Sequence, residues 1–430
     1  MVHSTNRIEP FQALIYNRER CGDLLDVIAP PYDLIDDAAQ NRLYDRSPYN
    51  VVRVELAREP DRYRAARETL SAWRRDGILL PHPVPALYLY TQEFEAAGRH
   101  LTRHAIIARI KLEPFARGRI LPHEKTFPKA KEDRLRLLEA TTTNISPIFG
   151  LYSGRHPNLD ALIKDVFSRE PLIAVLDDAG IGNEIRPVTA ADEIGVVQAE
   201  IANAQVLIAD GHHRYETALE YQRRMRAADG DPPGARPYDY VMMGLVSCDD
   251  PGLVVLPTHR VARRLDSHER SGFVRWAGEM FDIETFTDRA AFLGRLGQFT
   301  SGVIGVALRD DPTLRILRMR NMEETMATLA PDSPPELRQL DVTILHCAIL
   351  ERGFGIDADT VRAGAMIAYT IDANAALDSV AQRAADGAFL INPPLIREVE
   401  AASQAGVTMP EKSTYFFPKL ATGFVMNSLD

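Results

Sequence analysis

If this chain does chemistry, its residue types point to the segment Ala209-Asp210-Gly211-His212-His213-Arg214-Tyr215-Glu216. Gln205-Val206-Leu207-Ile208-Ala209 reads as a buried strand and Arg214 to Arg226 as a helix, so only Asp210 to His213 link them. A strand that turns at glycine into a helix leaves the first backbone N–H groups of that helix without intrahelical partners. Those donors and the helix dipole favour an anion. Gly211 permits close backbone approach. Arg214 brings a forked, charged donor suited to phosphate, and His212 and His213 bring more donors. Asp210 abuts the turn, which suits it to organising a metal or phosphate site. The rival reading is a transition metal on the two histidines. Adjacent residues of a strand or helix point in different directions, and no HExxH pattern occurs, so the phosphate reading is preferred and no protein-held metal is expected. The plainest alternative is a polar turn capped by histidine.

Two further segments carry polar groups between prolines or apolar runs. In Leu121-Pro122-His123-Glu124-Lys125-Thr126, Glu124 is a candidate general base, although most glutamates simply face water. In Met409-Pro410-Glu411-Lys412-Ser413-Thr414-Tyr415-Phe416-Phe417-Pro418-Lys419, lysine followed by serine resembles a P-loop, but Pro410 and Glu411 stand where glycine is required. Its residues either turn between core aromatics, or Lys412, Ser413 and Thr414 complete a pocket to which His123 also belongs. Neither a G-x-S-x-G elbow, a G-x-G-x-x-G fingerprint nor a protein-kinase motif set is present.

Around these segments the pattern is mixed α and β. Asp61 to Arg75 places Tyr63, Ala66, Leu70 and Trp73 at helical spacing. Ala86 to Tyr90 and Ala105 to Ile110 read as strands joined through a turn near Gly98. Lys129 to Ala140 reads as a charged helix, Ile148 to Tyr152 as a strand, and residues 155–200 alternate between the two. Val254 to Arg260 closes this region, and Asp311–Pro335, with scattered prolines, reads as containing a loop. Ile28-Ala29-Pro30-Pro31-Tyr32-Asp33 must be a rigid non-helical turn, since proline restricts itself and its predecessor.

A chain of 430 residues suggests two or three domains. We expect 1–112 as an N-terminal α/β domain, 113–261 as a catalytic core with an insertion near 155–200, and 262–430 as a C-terminal α/β domain whose tail returns to the site. Lys and Arg number 50 against 60 Asp and Glu, a formal charge of −10 that argues against nucleic acid as a partner. Cys21, Cys248 and Cys347 are far apart, with no CxxC pair, which excludes a cysteine-rich zinc site and fits a reducing compartment. Met1 to Pro10 lacks the basic start and apolar run of a signal peptide, and no apolar stretch approaches a membrane span, so a cytoplasmic protein without membrane partner is expected.

Six segments occur here in the order seen in the bacterial and archaeal DUF1015 family, and the chain resembles that family over nearly its whole length. They are Ile28 to Asp33, Ser47-Pro48-Tyr49-Asn50-Val51-Val52-Arg53, Leu121 to Thr126, Ala209 to Glu216, Leu256-Pro257-Thr258-His259-Arg260 and Met409 to Tyr415. More narrowly, the Asp-Gly-His-His-Arg turn and the upstream Pro-His-Glu are similar to those of free-serine kinases built on the ParB/sulfiredoxin-like fold. The resemblance implies an α/β (α+β) fold with a ParB/sulfiredoxin-like core. It also implies a phosphotransferase using ATP or ADP with Mg2+ on a small hydroxyl metabolite, free L-serine being the first candidate. Carried over, Glu124 is the base and Asp210 is essential, while Gly211, His212, His213 and Arg214 hold phosphate. A non-catalytic nucleotide-binding regulatory module and a phosphatase using the same phosphate site are the alternatives.

Overall fold

The computed structural model describes residues 7–430 apart from Lys125, Phe127, Ala363, Ala365 and Glu411, with the side chains of Glu269 and Arg362 also excepted. The opening residues 1–6, and Lys125 and Glu411 of the two polar segments, therefore lie outside the described residues. Strand pairing and packing divide the chain into two units. The first takes in Met1–Pro122, Thr126–Val254 and Pro418–Asp430; the second takes in His123–Lys125 and Val255–Phe417.

The first unit is built on a nine-stranded mixed sheet. Its strands are β1 (Ile8–Glu9), β2 (Leu87–Ala96), β3 (Arg99–Lys111), β4 (Ile120–Leu121), β5 (Ile148–Tyr152), β6 (Ile173–Leu176), β7 (Gly182–Val188), β8 (Val206–Asp210) and β9 (Tyr240–Ser247). The order is β4-β8-β5-β9-β3-β2-β7-β6, with β1 against β3. The β2–β3 hairpin turns at Ala97-Gly98, with φ of 49° and 69°. A two-residue primed turn demands that left-handed pair. Helices α1 (Pro128–Thr141) and α2 (His212–Ala228) pack through Leu135, Leu138 and Tyr221. Tyr215 and Ala218 of α2 enter the sheet core with Ile106, Ile148, Ile208 and Leu245.

The expected border at residue 112 is not where the molecule divides. Strands β2 and β3, from before it, share one sheet with β5, β8 and β9, from after it. Nor does 155–200 sit apart from that sheet: it supplies β6 and β7, and β7 pairs with β2 from Gly182↔Glu93 to Val188↔Leu87. The tail closes the unit, bridging Thr422 to Ala29 and Met426 to Leu14, and pairing Asn427 with Asn144.

The second unit carries a six-stranded sheet of β10 (His259–Ala262), β11 (Phe281–Phe286), β12 (Val303–Leu308), β13 (Leu314–Met319), β14 (Ile367–Thr370) and β15 (Gly387–Ile391), ordered β11-β13-β12-β15-β10-β14. Phe292, Val303, Ile316, Leu377 and Leu390 fill its core. Helix α3 (Asp341–Ile344) runs directly into a π-helix, Leu345–Glu351, and α4 (Ile396–Gln404) follows β15. Asp311–Pro335 is less of a loop than its prolines suggest. It holds β13 and the helix Met322–Leu329, because Ile316, Leu317 and Met319 are buried and the prolines fall outside both elements. The fold is mixed α/β, and among the described residues no helix is long and apolar enough to cross a membrane.

Candidate functional site

The strand that ends at Asp210 does not end regularly. Ile208 lies opposite Gly150 of β5, but Asp210 lies opposite Phe149, so the register shifts around Ala209. Bulges of this kind re-aim a side chain at the end of a strand. Gly211 then takes φ 94° and caps α2. The helix starts at His212, two residues before the position that periodicity indicated, so His212, His213 and Arg214 all belong to its first turn. Tyr215 pins that turn. Its hydroxyl donates to the Glu113 carbonyl at 2.9 Å and accepts from the Glu113 amide at 3.0 Å.

Arg214 is engaged within the protein. Nη2 donates to Asp210 Oδ2 at 2.7 Å, and Nη1 donates to Ser146 Oγ at 3.0 Å and to the Pro147 carbonyl at 2.6 Å. The guanidinium folds beneath the turn so closely that a Cβ on Gly211 would lie 2.9 Å from Nη2. Its geometry makes Arg214 the strut of Asp210. Sequence alone shows a forked donor beside a helix start, but not which acceptors lie under the turn.

The other oxygen of Asp210 accepts from Lys419 Nζ, which also donates to Asp33 Oδ2 at 3.0 Å. Asp33 belongs to the proline-rich Ile28–Asp33 turn, and Lys419 to the tail. Three features set this contact. Asn50 Nδ2 donates to the carbonyls of Asp26 and Ile28 at 2.8 and 2.9 Å. Ala29 and Thr422 exchange both backbone bonds. Finally, Arg103 and Gln92 donate to the Pro418 and Lys419 carbonyls. Two carboxylates thus face two cations in a largely buried cluster. Burial acts to raise the Asp210 pKa, but the Lys419 ammonium and then the Arg214 guanidinium outweigh it and hold the carboxyl well below its usual range. Burial likewise acts to lower Lys419, and Asp210 and Asp33 reverse it, so the ammonium stays charged. Sequence reasoning missed Lys419 and Asp33 as site residues. Both stood inside segments singled out for other reasons, and a lone lysine after proline and a lone aspartate after tyrosine gave no sign of meeting.

The resemblance implies Mg2+, and the residues fit it in one respect. Among the described residues no group of three or more His, Cys, Asp and Glu forms a metal cage. Mg2+ at nucleotide sites usually takes one or two carboxylates, with phosphate and water supplying the rest. Asp33 and Asp210, already converging on one ammonium, would be those two.

The remaining sequence candidates gather in the second unit. The His123 carbonyl accepts the Met409 amide at 2.8 Å, and Glu124 bridges to Met409 in parallel. His123, 1% exposed, meets Thr414 Oγ1 through Nε2 at 2.9 Å. The Lys412 amide donates to Glu124 Oε1 at 2.8 Å, with Lys412 itself at φ 55°. Ser413 Oγ donates to the Pro410 carbonyl, and Arg260 Nη2 donates to the Lys412 carbonyl at 3.2 Å. The structure therefore brings His123, Glu124, Lys412, Ser413 and Thr414 together, but it is the backbone of Lys412, not its ammonium, that meets Glu124. Arg260, fully buried, was not foreseen as their support.

No curated protein matches the chain by sequence. Solved structures that resemble it include a free serine kinase in complex with ADP, at 11% identity and TM-score 0.37, covering 75% of this chain and 92% of that one. Another is a free serine kinase in complex with AMP, at 11% identity and TM-score 0.36, covering 75% of this chain and 91% of that one. A conserved hypothetical protein from Pyrococcus furiosus, at 12% identity and TM-score 0.34, covers 76% and 95%. A family model described as a protein of unknown function, DUF1015, matches residues 8–343, and the chain belongs to that family.

Proposed function

We propose that this protein is a kinase that moves a phosphoryl group from ATP or ADP to a small hydroxyl metabolite, with free L-serine the first acceptor to try. The observation that supports this reading is the Asp210 cluster at the left-handed Gly211 turn. Phosphoryl transfer asks a protein mainly for positioning and charge neutralisation. The first-turn amides of α2 and its dipole would take phosphate oxygens. Asp210 and Asp33 would hold Mg2+, which when bound offsets phosphate charge. Arg214 keeps Asp210 aimed, and Lys419 is the cation proposed to meet a phosphate when a metal ion takes Asp33 and Asp210. Glu124, steadied by the Lys412 amide, is proposed as the base for the acceptor hydroxyl proton.

The test is product analysis with ATP and with ADP against L-serine and a panel of small alcohols. One acceptor should gain phosphate. Glu124→Gln should lower turnover by about 10²–10⁴-fold, the usual contribution of a general base, while nucleotide affinity holds. Nucleotide binding without transfer to any acceptor would leave the binding-module reading in place. Phosphate release from a phosphorylated metabolite in the absence of nucleotide would favour the phosphatase.

A further inference from the structure

Next to Asp33 in the chain stands a tyrosine that the fold holds with unusual care. Tyr32 opens the 3-10 turn Tyr32–Leu34, in which the Leu34 amide donates to the Pro31 carbonyl at 3.0 Å. Pro30 and Pro31 stiffen the chain before it, and the bonds between Ala29 and Thr422 anchor that stretch. Its ring is held from α1, where the Arg134 guanidinium lies 4.4 Å from the ring centroid. Arg134 is 6% exposed and is itself fixed. Nη1 donates to Glu55 Oε1 at 2.9 Å and to the Glu55 carbonyl at 3.2 Å, and Nε donates to Asp133 Oδ2 at 2.8 Å. A buried cation over the ring face, with its own donors engaged, sets the ring's place without reaching a ligand.

Arg53, Arg62 and Arg109 stack in the same way on Tyr44, Tyr63 and Tyr240 of this unit, at 4.3, 5.0 and 5.3 Å. Each of those hydroxyls donates to a carboxylate: Tyr44 to Glu59, Tyr63 to Asp133 and Tyr240 to Glu9. Tyr32 differs. Its hydroxyl bonds to no protein group among the described residues, and the residue is half-buried. Tyrosine hydroxyls drawn out of water usually find a partner. The charges that act on this phenol are Arg214, Arg134, Asp33 and Asp210, so the hydroxyl lies beside the cluster. Burial raises its pKa, against Arg214 and Arg134 and with Asp33 and Asp210, so it keeps its proton and remains a donor.

We propose that Tyr32 is a nucleotide-contacting residue whose hydroxyl donates to a phosphate oxygen of ATP or ADP at the Asp210 cluster. This rests on the nucleotide of the kinase reading, and neither on its acceptor nor on its base. Asp33 and Asp210 repel a phosphate by themselves, and a hydroxyl gives it an uncharged donor among them. Being uncharged, that donor does not compete with a cation for the two carboxylates as an ammonium does. Arg134 supports the ring from beneath, in a place where it cannot itself touch the phosphate.

The experiment is calorimetric titration of the full chain with ADP and Mg2+, wild type against Tyr32→Phe, joined to phosphorus NMR of the bound ADP. Tyr32→Phe keeps the ring against Arg134 and removes only the hydroxyl, so the Tm of the ligand-free protein should not change. ADP affinity should fall about 10–100-fold, the weight of one hydrogen bond to a charged group, and a phosphorus resonance of the bound ADP should move. Tyr44→Phe, which loses a hydroxyl already bonded to Glu59, should leave ADP affinity as it is. Equal affinity in Tyr32→Phe and wild type, or an equal loss in Tyr44→Phe, overturns the assignment and leaves the nucleotide reading standing. A loss with both phosphorus resonances unmoved overturns it too, since the hydroxyl then meets ribose or base. So does a ligand-free Tm that falls along with affinity, which makes the hydroxyl part of the fold. Wild-type protein that binds neither ADP nor ATP overturns the nucleotide reading and this assignment together.

Discussion

At the scale of single residues, the decisive group is Lys419. Its Nζ is bonded to Asp33 and Asp210 at once, and its side chain is 11% exposed. Removing one partner of a buried ion pair strands the other charge, which costs about 3–5 kcal/mol. Lys419→Met should therefore lower stability by roughly 3 kcal/mol, allowing for the exposure of Asp33, and denaturant titration checks it. If Lys419 serves only the fold, a Lys419→Arg protein of native stability will keep full activity; if its ammonium follows phosphate, turnover will fall while stability holds. Another residue-scale prediction concerns His259 and His346. Burial and then Arg260 push His259 down to about 4 and His346 down to about 3. Both are neutral in the folded protein, whereas the unfolded chain takes up their protons near pH 6.5. The stability these two neutral imidazoles contribute is thus complete above about pH 6.5 and is lost as pH falls toward 4 and then 3, by roughly 1.4 kcal/mol per pH unit for each group. Trp276, which packs on Phe273 and Phe281, reports this unit once Trp73 is replaced by Phe. In that background His346→Leu should lower the pH slope between 6 and 4 by about 1.4 kcal/mol per pH unit, the loss of one linked proton. A slope left unchanged would show that His346 is not held neutral. The site's residues were legible to unequal degrees. Asp210 and Gly211 could be read because strand, glycine and helix follow one another without a gap. Lys419 and Asp33 could not, because 386 positions separate them and nothing local marks either as a partner.

At the scale of elements, the turn between β8 and α2 concentrates the argument. Gly211 at φ 94° is in a region that L side chains avoid, at a cost of roughly 1–2 kcal/mol. Space is also lacking, since an added Cβ would meet the Arg214 guanidinium. Gly211→Ala should therefore displace Arg214 from Asp210, lowering stability by about 1–2 kcal/mol and abolishing nucleotide binding. Gly230 is the control. It also has positive φ but nothing within 4 Å of its Cβ, so Gly230→Ala should cost a similar amount and spare binding. Equal loss of binding in both variants would mean that backbone strain alone matters. Elements were readable where period and punctuation agreed, as in the helix capped by Asp61 and the hairpin at Gly98. They were not where burial rather than composition decides. Prolines around 311–335 suggested a loop, yet β13 forms between them because its apolar residues have a sheet to pack on.

At the scale of the whole molecule, chain order and spatial order part company, which is why the divisions expected at 112 and 262 differ from those found. The nine-stranded sheet interleaves strands from residues 8 to 247, and a sheet border leaves no mark on local composition. The most consequential long-range element is the tail, Pro418–Asp430, which belongs to the first unit although the preceding stretch belongs to the second. It buries Leu420, Phe424, Val425 and Met426, all 4% exposed or less. Burying such a side chain is worth about 1.5–3 kcal/mol, so these four contribute roughly 6–12 kcal/mol. That is comparable to the roughly 5–15 kcal/mol by which whole domains are stable. Ending the chain at Phe417 should accordingly leave the first unit unfolded, seen as loss of the Trp73 near-ultraviolet signal and of cooperative melting. The second unit, which contains Phe417 and all six strands of its own sheet, should keep a cooperative transition reported by Trp276. Lys419→Met within the complete chain separates the two roles of the tail, since it keeps the apolar anchors and removes only the ammonium. A truncated chain whose first unit still melts cooperatively would show that the tail supplies Lys419 and little else.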